Sequence, residues 1–286
     1  MRIVVCVKSV PGSTEVKMDP KTNTIVRDGS QAVVNPFDAS ALEVALSLKD
    51  AADGVATGAP AAADVAAPAA DAAAASGPVR VTVLSMGIPD TARLLRDCIA
   101  RGADDALLLS DRAFAGADTL ATTYALSCGV AAMDAAPDLV ICGKMAVDGD
   151  TAQIGPELAG ALGMPCVTDV REIVSCADGT LRARRGADAG IETVEAALPC
   201  VITVAREIAQ LRMPSIAGVR AGEAAQVRVL TVEGAGADPS RCGLAGSPTQ
   251  VVRSFVPERA AKAERVEGSA AEQAKALCGI IEGMGL

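Results

Sequence analysis

The chain has 286 residues, enough for one large domain or two small ones. Half are hydrophobic, but many of those are alanine, and the only aromatics are Phe37, Phe114, Phe255 and Tyr124, so the core must rest on Val, Ile, Leu, Ala and Met. A formal charge of -9 argues against nucleic-acid binding, and the lack of histidine removes Ser-His-Asp and Cys-His catalysis and the usual zinc sites.

Nine cysteines form no CxxC pair. Several, such as Cys6, Cys142 and Cys200, sit in apolar runs and read as small hydrophobes in a reducing compartment. No metal site and no catalytic side chain is assigned, so an enzyme built on this chain needs a cofactor. Nothing at the N-terminus reads as a signal peptide and no stretch reads as a membrane span. The expectation is a soluble, cytoplasmic chain.

In chain order, short apolar runs recur at 3–7 (IVVCV), 79–84 (VRVTVL), 106–109 (ALLL), 138–142 (DLVIC) and 200–204 (CVITV). Most lack alternation, as strands buried on both faces do. Helical stretches separate them: about 39–50 with Asp38 as N-cap, 89–101, 118–134 with Asp118 as N-cap, and 151–162 with Asp150 as N-cap. Strand–helix alternation predicts an α/β fold with a doubly wound, mostly parallel sheet, which binds ligands outside the carboxyl ends of its strands. Residues 17–27 read as a small hairpin, and 166–197 as an antiparallel addition with turns at Asp178-Gly179 and Asp188–Gly190. The alanine-rich stretch 51–78 is broken by Pro and Gly and reads as a flexible insertion. Residues 1–245 are expected to form the α/β domain and 246–286 a C-terminal arm. In its helix, Ala271, Ala274, Leu277, Cys278, Ile281 and Met284 share a face.

The stretch LVICGKMAVDGDTAQIGPEL at 139–158 carries the chemistry. First-turn amides at Thr151, Ala152 and Gln153 suit a phosphate, and Gly149 lets the backbone approach it. Asp148 is placed to accept from ribose hydroxyls or to orient the loop. Lys8 either reaches a phosphate or is a solvated strand end, and Asn35 is either a turn residue or a polar contact to base or ribose. The stretch is neither a GxGxxG fingerprint nor a P-loop.

Taken together, IVVCVKSVPGSTEVKMDPKTNTIVRDG, VVNPFDASALEVALSLKD, LLRDCIARGADDALLLSDRAFAGADTLAT, GKMAVDGDTAQIGP, LPCVITV and GSPTQVVRSFVP resemble the beta subunit of electron transfer flavoprotein almost end to end; only 51–78 looks foreign. The resemblance implies an adenine-nucleotide alpha-hydrolase-like fold and an obligate heterodimer with an alpha subunit that holds an FAD. It implies a nucleotide on this chain, AMP in simple electron shuttles and FAD in electron-bifurcating, anaerobe-type members, which this sequence looks more like. The carried-over contacts are Cys6, Val7, Lys8, Asn35, Met86, Asp118, Thr119, Asp148, Gly149, Asp150, Thr151, Ala152, Gln153, Ile154 and Gly155. NADH would be the electron donor, ferredoxin or flavodoxin one acceptor and an acyl-CoA dehydrogenase-type enzyme the other partner. Ile216, in LRMPSIAGVRAG, falls at the family's docking anchor, but the lysines and arginines that usually follow are reduced to Arg220 and Arg228. A stand-alone regulatory nucleotide binder of the universal-stress type is the alternative; an ATP-cleaving enzyme lacks its PP-loop or HIGH motif.

Overall fold

The structure, a computed structural model, describes residues 1–12, 18–19, 24–25, 32–54, 78–252 and 265–284. The chain divides into two units, Met1–Gln250 and Val251–Leu286. The insertion expected at 51–78 lies largely outside the described residues; its first four close the first helix as helix and turn.

The strands are β1 (Arg2–Cys6), β2 (Ser9–Pro11), β3 (Met18–Asp19), β4 (Thr24–Ile25), β5 (Ala32–Val34), β6 (Arg80–Met86), β7 (Asp105–Leu109), β8 (Leu139–Gly143), β9 (Cys166–Ala177), β10 (Thr180–Ala187), β11 (Gly190–Ala197), β12 (Cys200–Val204) and β13 (Arg228–Leu230). The helices of the first unit are α1 (Pro36–Ala52), α2 (Thr91–Arg101), α3 (Thr119–Ala131), α4 (Ile154–Leu162) and α5 (Ile216–Ala224). Nine of these strands make one sheet in the order β11-β10-β9-β12-β8-β1-β6-β7-β13. Pairing is parallel from β9 to β13, and β9–β10–β11 form the expected antiparallel addition. Asp178 and Gly179, at φ 51 and 75, supply the two left-handed positions of the first hairpin turn. β3 and β4 pair antiparallel within the expected hairpin.

The unbroken apolar runs are explained by helices on both faces. Ile3, Val5, Leu139 and Ile141 pack with Leu42 and Leu46 of α1 and with Leu95 and Cys98 of α2. Val4, Cys6, Val140 and Cys142 face Ala125 and Leu126 of α3 and Leu158 and Ala159 of α4. β1 lies between β6 and β8: the chain winds outward through β6 and β7 and then recrosses to β8. This reversal is a topological switch point, where the loops after β1 and β8 part and leave a crevice.

The stretch at 211–222, which the resemblance marks for docking, runs into a helix: α5 begins at Ile216 and ends at Ala224. Ser215 caps it by accepting the Gly218 N–H at 3.0 Å. Two of its glycines serve close packing on α2. A Cβ at Gly218 would run into the Ala100 carbonyl, and one at Gly222 would lie 2.5 Å from the Arg96 carbonyl. In the second unit, α6 (Ala270–Gly283) starts with Glu272 accepting from both the N–H and the hydroxyl of Ser269, at 2.8 and 2.7 Å.

Replacing Gly222 by Ala gains about 1 kcal/mol of helix propensity but forces backbone apart, costing about 1–3 kcal/mol. The net expectation is a lower urea midpoint for Gly222→Ala with an unchanged m-value. A raised midpoint would show that α5 can back away from α2.

Candidate functional site

The floor of the crevice is the paired ends of β1 and β8. Cys6 and Cys142 are register partners and both are buried. A hydrogen bond with Cys6, together with burial, pushes the Cys142 thiol well above its usual range, so it stays an unreactive part of the floor. Val7 is buried beyond them.

One carboxylate spans the two loops. Asp38 accepts the Lys8 N–H at 2.8 Å and the Gly143 N–H at 3.2 Å. It is therefore not the N-cap the sequence suggested. α1 begins two residues earlier, at Pro36, and Asn35 occupies the cap without a side-chain bond to the first-turn amides. Burial pushes the Asp38 carboxyl up to about 7, against the pull of bonds from Lys8, Asn35 and Gly143. Gly143 must be glycine here, because a Cβ would collide with the Asp38 carboxylate and Phe37.

Asn35 is fully buried and holds the loop after β8. Its Nδ2 donates to the Met145 carbonyl at 2.8 Å and its Oδ1 accepts the Val147 N–H at 3.2 Å. Its amide is thus turned to the protein backbone. At the root of the same loop, Lys144 Nζ lies 3.3 Å from Asp169 Oδ2. Asp169 itself sits left-handed, at φ 54, in β9. Further along, Lys8 Nζ meets Asp148 Oδ1 at 2.5 Å, with the Asp148 side chain 12% exposed. The carboxylate that seemed out of place at a phosphate site is neutralised by the lysine from the facing loop.

α4 starts at Ile154 rather than at the expected 151, with Gln153 at its cap position. Asp150 does not cap it. Asp150 and Ala152 are left-handed instead, at φ 52 and 54, conformations that cost about 1–3 kcal/mol each in non-glycine residues. The kinked segment presents a row of amides. Among the described residues, none of the N–H groups of Thr151, Ala152, Gln153, Ile154 and Gly155 has a hydrogen-bond partner. Thr151, Ala152 and Gln153 are exposed. Such a nest of amides, joined to a helix N-terminus, favours an anion. Gly155 lets α4 sit on β12, since a Cβ there would strike Thr203.

α3 supplies the opposite wall. Asp118 is its N-cap, as expected, accepting the Ala121 N–H at 3.0 Å. Its other oxygen takes the Thr249 N–H and hydroxyl at 3.1 and 2.8 Å. Burial raises this carboxyl, but those bonds outweigh it and hold it below the usual range. The Thr119 and Thr123 hydroxyls donate to Glu157 of α4, at 3.1 and 3.0 Å. Glu157, absent from the sequence-based site, therefore fixes the gap between α3 and α4. Met86 ends β6 half-buried, and Ile88 and Val147, on the loops after β6 and β8, and Leu120, in the first turn of α3, are exposed apolar residues. Two concavities lie elsewhere, one lined by Val44, Leu48 and Ile173, the other by Cys166 and Arg185; neither carries the amide row.

Ile216 lies outside this crevice, at the start of α5. It is 80% exposed, beside Met213 at 82%. The segment leading to them is fastened to α1 by Arg212, which pairs with buried Glu43 at 2.7 Å and with Asp50 at 2.7 Å. Ser40 adds hydrogen bonds to the carbonyls of Arg206 and Ala209.

The family model described as the electron transfer flavoprotein domain matches residues 66–235. The caffeyl-CoA reductase-Etf complex subunit CarD of Acetobacterium woodii is 40% identical over 269 residues, 94% of this chain and 93% of its own. Protein FixA of Azorhizobium caulinodans is 40% identical over 284 residues, 97% of this chain and 92% of its own. The electron transfer flavoprotein subunit beta of Megasphaera elsdenii is 40% identical over 263 residues, 90% and 88%. The chain belongs to the electron transfer flavoprotein family, as a beta-subunit type. Family membership carries electron transfer as the general role and implies an alpha-type partner. It also sets aside the stand-alone regulatory module. No helix among the described residues is long and apolar enough to cross a membrane.

Two outcomes are expected. Because the folded-state Asp38 carboxyl titrates near 7 rather than 3.8, the folded chain holds a proton that the unfolded chain releases. This contribution to stability is present at low pH and lost as pH rises through about 7. Urea midpoints measured across that range should fall for the wild type more than for Asp38→Asn. Separately, Glu43→Ala strips Arg212 of its buried partner while leaving it Asp50, and should cost about 1–3 kcal/mol, seen as a lower midpoint and faster proteolysis within 206–215.

Proposed function

We propose that this chain is the beta subunit of an electron-bifurcating flavoprotein and holds an FAD of its own in the crevice between β1, β8 and α3. The observation that carries the reading is the row of unpartnered amides at 151–155, held by two left-handed residues at the switch point of the sheet. These residues fit a flavin dinucleotide chemically. The amides suit its phosphates, and Lys8 is held on Asp148 of the same loop. The apolar side chains of Ile88, Leu120 and Val147 suit a flat ring and keep water from it. A bound flavin would supply the redox chemistry, taking electrons in pairs and releasing them singly; the protein supplies placement and electrostatics. Asn35, Asp38 and Glu157 hold the loops and helices that define the site, and Asp118 joins residues 247–249 to the start of α3.

In this reading NADH is the electron donor. One electron goes to ferredoxin or flavodoxin, and the other passes through an FAD on the alpha subunit toward an acyl-CoA dehydrogenase-type enzyme. The name of the Acetobacterium relative, a subunit of a caffeyl-CoA reductase complex, supports a partner of that class. Met213 and Ile216 offer its docking anchor, and the Leu277–Ile281 face of α6 offers a grip for the alpha subunit. Binding of AMP in place of FAD would make the protein a simple electron shuttle.

Co-production with an alpha-type subunit, followed by counting of released nucleotides, tests the assignment. Two FAD per heterodimer is the expected result; one FAD and one AMP would overturn bifurcation. Ile216→Asp should leave nucleotide content unchanged and weaken capture of the dehydrogenase at least tenfold, about 1.4 kcal/mol.

A further inference from the structure

We propose that Asp38 is a proton-linked positioning residue: its buried carboxylate ties the loop after β1 to the loop after β8, and adding a proton releases the β8 side and weakens nucleotide binding. The inference rests on the nucleotide reading of the crevice. Geometry carries it. Asp38 is buried, and its two oxygens accept from backbone groups 30 and 105 residues away in sequence, Lys8 N–H and Gly143 N–H. A carboxylate can only accept, which is what two facing N–H groups require; a carboxylic acid must turn one O–H toward a donor. The weaker bond, 3.2 Å to Gly143, is the one that yields. Gly143 is the last residue of β8, so its release loosens the root of the loop that carries Asp148 and the amide row, leaving the Lys144 N–H on Val204 and the Asn35 clasp as the remaining ties.

The charged and titratable groups facing Asp38 are few among the described residues. Lys8 comes from the β1 loop, itself paired with Asp148; Cys142 comes from β8 and Cys98 from α2. Both thiols are pushed above their usual range, Cys98 to about 12 by burial and Cys142 chiefly by its bond to Cys6, so they stay neutral through the relevant range. The Lys8–Asp148 pair carries no net charge. Asp38 is thus the group in this cluster whose charge changes near neutral pH, since burial lifts it to about 7.

The test uses the heterodimer stripped of nucleotide and titrated with FAD, whose pyrophosphate does not ionise near neutrality, at pH 6 and pH 8. With a carboxyl titrating near 7, the ionised fraction changes about tenfold across that interval, and the apparent Kd should follow by roughly the same factor. Asp38→Asn should bind weakly at both values. In parallel, the backbone amide resonances of Lys8 and Gly143 in the wild-type complex should shift together with one midpoint near 7. FAD affinity that is flat in pH, or an equal pH dependence in Asp38→Asn, overturns the proposal while leaving the nucleotide site standing. So do Lys8 and Gly143 resonances that do not titrate. A wild-type complex that takes up no FAD at either pH overturns the nucleotide reading and this inference with it.

Discussion

Two adjacent parallel strands, β1 and β8, reach the same end of the sheet and then send their chains in different directions. A parallel sheet provides no bond that holds such loops together once the ladder stops. Here a buried acid accepts a main-chain N–H from each side, and Asn35 adds a second tie, its own N–H on the Lys8 carbonyl and its side chain on Met145 and Val147. Much of the rest of the site depends on that closure. Lys8 can reach Asp148 only because the two loops are held face to face. Asn35, next to the same helix start, can clasp Met145 and Val147 only because the β8 loop returns across it. The crevice left by the doubly wound topology is general to such sheets; its shape in this chain follows from which polar groups span it.

The segment between β8 and α4 shows a second constraint. Asp150 and Ala152 hold conformations that non-glycine residues avoid, and the amides they expose have no partner among the described residues. Strain and unmet donors in one six-residue stretch run against what folding alone favours. The strain is local to Asp150 and Ala152, and exposure at 151–153 leaves those amides open to an incoming anion. In this loop backbone strain is balanced against open donors. The same balance holds at Asp38, where burial opposes the ionised form that satisfies both N–H groups.

The sheet was legible in the sequence because strands buried on both faces lose their alternation, as IVVCV and CVITV do. The Asp178-Gly179 turn was legible because two left-handed positions have few residue solutions. The Asp118 cap was read correctly for the same reason: its main partner, Ala121, is three residues away. What escaped was long-range. Asp38 sits two residues after Pro36, where an acid normally means a cap, and nothing local shows that Gly143 will lie against it. Asp150 failed in the same way. Acid followed by Thr-Ala-Gln looks like a helix start, and the left-handed turns that delay α4 to Ile154 leave no trace in residue type. The need for Gly218 and Gly222 is equally hidden, because the backbone of α2 that they meet is invisible in one dimension.

The fastening of the segment before α5 has a consequence for recognition. Arg212 is clamped on Glu43 and Asp50, Ser40 holds two carbonyls, and α5 is locked on α2 through its glycines. Met213 and Ile216 therefore stand on a rigid base while remaining more than three-quarters exposed. A partner that covers them orders only the side chains, at about 0.5–1.5 kcal/mol each, and not the loop that carries them. Preorganisation of this kind lets a small contact be specific without being long-lived, which suits a protein that must hand over an electron and leave.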